Sequence, residues 1–167
     1  MLEECMKENK FSGFVKTIYR APRKLQPFLL TQLFCSQVKY ARTSGIKLLE
    51  ISHQEAVLRL VNKKKVQNHI GGVHAIAAGL LAESATGIVF GMNVPDHCIP
   101  LLKSMKVNYQ RRMQGSLLAK ASLTAEQIKQ IKQEDKGDLF VSVVITDESG
   151  QAPITCEMEW AWVTKRR

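Results

Sequence analysis

The most regular alternation of apolar and polar positions lies near the C-terminal end. Ile154, Cys156, Met158, Trp160 and Trp162 face one way, and Thr155, Glu157 and Glu159 face the other. A period of two marks a strand with one covered face, so a strand is expected over 154–163. Leu139–Thr146 reads as its partner across the turn Asp147-Glu148-Ser149-Gly150. Upstream, Leu117, Ala119, Ala121 and Leu123 alternate with Ser116, Lys120 and Ser122; before a turn over 111–115, Met105, Val107 and Tyr109 alternate with Ser104, Lys106 and Asn108. Thr124 with Gln127 three residues on is a capping-box pair and predicts a short surface helix through Ile131.

The centre of the chain has a different rhythm. From Val73 to Phe90 apolar residues lie on every side of a helical wheel, many of them small (Ala75, Ala77, Ala78, Gly79, Ala82, Ala85), which predicts one helix covered on most sides. The stretch is long enough to span a bilayer, but His74, Glu83, Ser84 and Thr86 interrupt it, and a central glutamate is costly in lipid. Two short strands precede it, Ile46–Ser52 and Glu55–Val61, closed by the charged turn Lys63-Lys64-Lys65. Before these, Ser12 is expected to cap a helix carrying Phe14, Val15, Ile18 and Tyr19. Pro22 and Pro27 interrupt it, and a second short helix is expected over Pro27–Cys35.

Two strands, one buried helix, then four strands joined by short turns predict an α+β fold: an antiparallel sheet of five or six strands around one long central helix, with short N-terminal helices. Parallel doubly wound folds are excluded, because they need helices alternating with strands. The expected division is a helical segment over 1–36 packed on a single domain over 37–167.

Composition narrows the setting. The 167 residues suit one core, and four scattered cysteines without a Cys-x-x-Cys pair suit a reducing compartment. The start Met1-Leu2-Glu3-Glu4-Cys5 is acidic where a secretory signal is basic, so a soluble cytoplasmic protein without membrane insertion is expected. The net charge of +9 is uneven: residues 1–65 hold thirteen Lys/Arg against five Asp/Glu, and the rest eleven against ten. A basic segment suits an anionic partner (a nucleotide-bearing substrate, a nucleic acid or a membrane surface) or is simply a solvated face. No aromatic-basic strand pattern supports nucleic acid, and no histidine or cysteine spacing fits a metal site.

Glu83 is the candidate for chemistry. A glutamate inside an apolar helix loses solvation, which raises its pKa into the range useful to a general base. The alternatives are an ion pair with Arg or Lys, or emergence at a subunit boundary. The segment Asn68-His69-Ile70-Gly71-Gly72-Val73-His74-Ala75 leads into the helix start, where free backbone N–H groups and the helix dipole suit an oxyanion.

Asn68-x-x-Gly71-x-x-His74, with Glu83 nine residues after the histidine, resembles the PaaI-like branch of the hotdog-fold thioesterases. Val107-Asn108-Tyr109-Gln110 with Gly115, and Asp147-Glu148-Ser149-Gly150-Gln151, resemble that family's later strand and hairpin, so the likeness spans roughly 25–165. The resemblance implies an acyl-CoA thioesterase, a homodimer or homotetramer, with its site between subunits and no cofactor beyond the CoA of the substrate. In that reading Glu83 activates water, the Ala75 N–H meets the oxyanion, Asn68 binds the carbonyl or the water, and His74 shapes the turn. Gly71, Gly72 and Ile76 border the acyl thioester, while Lys63, Lys64, Lys65, Arg111 and Arg112 are expected to hold the adenosine phosphates. Ala75-Ile76 stands where the family has Gly-Gly, adding bulk at the thioester. That departure leaves open a second reading: a non-catalytic hotdog module that binds an acyl group or a partner protein.

Overall fold

Residues 8–166 are described by the computed structural model; the acidic start over 1–5 lies outside them. Three helices come first. α1 (Lys10–Ile18) is capped by Asn9, whose side-chain oxygen accepts from the Ser12 N–H at 2.8 Å. Ser12, expected as the cap, instead lies buried in the first turn and donates its hydroxyl to the Asn9 carbonyl. The asparagine amide reaches the third N–H of the helix, and it also donates to the Gly91 and Val94 carbonyls, tying α1 to the far end of the central helix. α2 (Gln26–Gln37) has Pro27 in its first turn and buries Leu30, Phe34 and Cys35. α3 (Lys39–Ser44) has no counterpart among the expected elements; six residues are too few to show a helical period.

The hairpin β1 (Lys47–Ile51) and β2 (Glu55–Leu60) leads through a short 3₁₀ turn to the long helix α4 (Ala75–Gly91). β3 (Cys98–Tyr109), β4 (Leu117–Ser122), α5 (Ala125–Gln133), β5 (Gly137–Asp147) and β6 (Ile154–Thr164) follow. All six strands join one sheet in the order β1-β2-β4-β5-β6-β3, every neighbouring pair antiparallel. α4 starts at Ala75 rather than Val73, because Val73 pairs with Gln67 in an isolated bridge and His74 caps the helix. The capping box of Thr124 and Gln127 opens α5 as expected. No helix among the described residues is long and apolar enough to cross a membrane.

α4 packs against β2, β3, β4, β5 and β6. The alternating residues of β4 and β6 supply the other side of the core: Leu117, Ala119, Ala121, Met158 and Trp162 are buried. The two tryptophans flank Phe90, with ring centroids 5.8 and 5.9 Å away. Each indole N–H is used, Trp160 donating to the Thr86 hydroxyl at 2.9 Å and Trp162 to the Glu134 carbonyl at 2.7 Å. They are core residues and leave no indole for a subunit contact. A Cβ at Gly87 would stand 2.6 Å from the Trp160 ring, so α4 reaches this distance from the sheet only without a side chain there.

The sheet has two unlike edges. Along β1, the Thr31 hydroxyl bonds both the N–H and the carbonyl of Leu48 at 3.1 Å, and the Tyr19 hydroxyl bonds both those groups of Ile51 at 3.0 and 2.7 Å. The N-terminal helices therefore close that edge. β3, twelve residues long, has β6 on one side and none of the six strands on the other, and Ile99, Leu101, Leu102, Met105 and Tyr109 on it are exposed.

Candidate functional site

The loop before α4 is held by its own polar groups. The Asn68 side-chain oxygen accepts from the N–H groups of Ile70 (3.0 Å) and Gly72 (3.1 Å), and the Asn68 N–H donates to the Gly72 carbonyl. Gly71 turns the chain at φ +78°, in the left-handed region that glycine tolerates. His74 then accepts the Ile76 N–H on its Nδ1 at 3.1 Å. That leaves the Ala75 N–H among the first-turn donors that have no carbonyl four residues back inside the helix. Tyr109, at the end of β3, donates its hydroxyl to the Ala75 carbonyl at 2.8 Å and pins the helix start to the edge strand.

Gly71, Gly72 and Arg112 line one cavity of about 390 Å³, together with Asn62, Met113 and Gln114. Arg112 donates to the Ile70 carbonyl at 3.0 Å. Asn62 donates its amide to the Gly71 carbonyl at 3.1 Å, while its side-chain oxygen is buried without a hydrogen-bond partner. Asn62 had no signal in the sequence, since it follows a strand like any loop asparagine. Of the expected phosphate-binding cations, Lys63 and Lys64 are exposed, and Lys65 donates to the Thr43 carbonyl. Arg111 turns inward: it pairs with buried Asp147 at 3.0 Å and donates to Ser149. Burial alone would raise the Asp147 carboxyl; Arg111, Ser149 and the Gln114 N–H outweigh it and hold the group well below its usual range.

Glu83 lies elsewhere on α4. Ile76, Leu80 and Glu83 recur at i, i+4 and i+7, forming a stripe of α4 that the chain's own sheet leaves partly uncovered. Ala78, Leu81, Ala82, Ala85 and Val89 on the other faces are fully buried. Glu83 is half-buried, and among the described residues no lysine, arginine or histidine pairs with it. Desolvation pushes its carboxyl upward, opposed only by a hydrogen bond from the neighbouring Ser84 hydroxyl at 3.4 Å. Eight residues separate Glu83 from Ala75, about 12 Å along an α-helix. At that rise the two positions lie more than two helical turns apart on one chain. On β6, Cys156 is half-buried, and burial pushes its thiol up to about 11, away from the thiolate form.

A six-stranded antiparallel sheet wrapped on one long helix is the hotdog fold, and solved structures share it. PA5026 of Pseudomonas aeruginosa, described as a protein of unknown function and probable thioesterase, is 23% identical, with a TM-score of 0.74 over 87% of this chain and 97% of that one. The thioesterase HI1161 of Haemophilus influenzae is 13% identical, with a TM-score of 0.64 over 83% and 90%. A thioesterase family protein of Silicibacter pomeroyi is 12% identical, with a TM-score of 0.67 over 86% and 100%. The chain belongs to the family described as Domain of unknown function (DUF4442), whose model matches residues 27–163. A sequence search of curated proteins finds no match.

Proposed function

We propose that the chain is an acyl-CoA thioesterase whose site is completed by two copies, Glu83 coming from one and the start of α4 from the other. The observation that carries this reading is a desolvated carboxylate without a cationic partner, on the partly uncovered stripe of the central helix. The rise of about 12 Å along the helix between its position and the helix start favours a site shared between subunits over one built within a single chain. The bare β3 edge offers the contact, and the names of the structural neighbours support the reaction class.

In the proposed reaction, water attacks the thioester carbonyl carbon while Glu83 takes its proton. The Ala75 N–H meets the developing oxyanion, and the CoA thiolate leaves as the tetrahedral intermediate collapses. Asn68 has committed its oxygen to the loop, so its amide N–H₂ is the group that holds the carbonyl or the water. His74 serves as cap, Gly71 and Gly72 border the thioester, and Lys63, Lys64 and Arg112 meet the adenosine phosphates. The reaction needs no cofactor.

The second reading is a hotdog module that binds an acyl group or a partner protein without hydrolysis. Ile76 favours it, standing 63% exposed at the helix start where the thioester approaches. Thiol release measured across a panel of acyl-CoA esters separates the two. Hydrolysis of at least one ester, lowered about 10²–10⁴-fold in kcat by Glu83→Gln, supports the first. Binding of acyl-CoA with no thiol released by the wild type supports the second.

A further inference from the structure

Residues 9–46, which form the three N-terminal helices and the turn into β1, hold seven Lys/Arg and no Asp/Glu. Residues 47–167 hold sixteen against twelve. All seven cations of the cap are exposed, and among the described residues only Lys16 has a carboxylate partner, Glu8 at 3.1 Å. The same cap displays large apolar side chains. Phe14 is 60% exposed on α1, beside Val15, which is buried. Leu25, which caps α2, and Phe28, Gln32 and Ser36 on the helix recur at helical intervals on the side opposite Leu30 and Phe34, and Phe28 is 62% exposed. Tyr40 is equally open on α3.

We infer that this cap docks the protein on the surface of an anionic lipid bilayer, the exposed rings seated at headgroup level and the cations over the lipid charge. Helices that keep apolar side chains outward beside a strongly basic surface bind membranes by that combination, lying in the interface without crossing it. Charge decides among the other occupants. A second copy meeting the cap face to face would oppose seven cations with seven, so self-association there is disfavoured. Nucleic acid shares the charge complementarity, but the cap's exposed rings are carried on helices and not on a strand of interleaved aromatic and basic residues that stacks successive bases. The inference is independent of the thioesterase reading, since it uses none of the residues proposed for hydrolysis.

Co-sedimentation of the full chain with phosphatidylcholine vesicles, with and without phosphatidylserine, tests it. Binding is expected only with phosphatidylserine and is expected to weaken steeply as salt rises. Phe14→Ala with Phe28→Ala weakens it by about tenfold or more through lost apolar insertion. Arg23→Glu with Lys24→Glu weakens it by at least about tenfold through charge. All four side chains are exposed, so melting temperatures are expected to stay at the wild-type value; should one pair misfold, the other pair and the salt series still decide. No sedimentation with phosphatidylserine vesicles overturns the proposal, as does sedimentation indifferent to both pairs. Binding to single-stranded RNA without vesicle binding, lost in the charge-reversed pair, also overturns it and assigns the surface to nucleic acid.

Discussion

Burial pushes the Glu83 carboxyl above its ordinary value of 4.5, and the direction has two consequences that share one residue. For stability, the folded state holds its proton more tightly than the unfolded chain, so stability falls as pH rises through the window above 4.5. Glu83→Gln removes that loss: the variant is expected to melt at or above the wild-type temperature at neutral pH, with the difference vanishing below about pH 4, near the ordinary glutamate value. For catalysis the ionised form is the base, so the acid limb of kcat against pH is expected above 4.5 and not at it. A variant that is more stable yet slower marks a residue kept for chemistry. Glu83 was legible because a single charge interrupts an apolar run. Its separation from Ala75 was legible too, in principle, since the helical rise alone gives it. Asn62 and Tyr109 were not, because the partners of a loop amide and a strand phenol are set by contacts between distant segments.

Individual elements were legible to the extent that their own period was long. β6 and β4 alternate over enough positions to show which face is covered, and Thr124 with Gln127 announced α5 through a local bond. α3 escaped because one and a half turns leave no repeat, and the cap of α1 was misplaced because Asn9 and Ser12 both suit the position and only the fold chooses. α4 bore small residues that read as a close approach without saying to what. The approach is at Gly87, where a methyl group would stand 2.6 Å from the Trp160 ring, itself tied to Thr86. Gly87→Ala therefore overpacks the helix–sheet contact at a cost of about 1–3 kcal/mol, against roughly 1 kcal/mol that alanine gains inside a helix. Urea unfolding is expected to show a net loss of stability; a gain would mean that the helix shifts freely over the sheet.

For the whole molecule, the proposed shared site needs a second copy joined edge to edge, with the outward stripe of α4 and the exposed apolar side chains of β3 as the contact. Light scattering at micromolar concentration is expected to give a dimer or a larger even assembly. Leu101→Lys with Met105→Lys is expected to give a folded monomer that releases no thiol, whereas a monomeric wild type with full activity would refute the shared site. Element order predicted the sheet and its wrapped helix, but the inequality of the two edges lies in hydroxyls from α1 and α2 that meet β1 only after folding. That inequality also limits how far such an assembly grows. If β1 were as bare as β3, the β1 of one copy could accept the β3 of the next, a head-to-tail contact that spins copies into a fibre wherever its rotation does not close a ring. Tyr19 and Thr31 occupy the backbone groups of Ile51 and Leu48 first, so strand addition at β1 has no open end to grow from, and a concentrated solution of this protein is expected to stay free of filaments built by that contact.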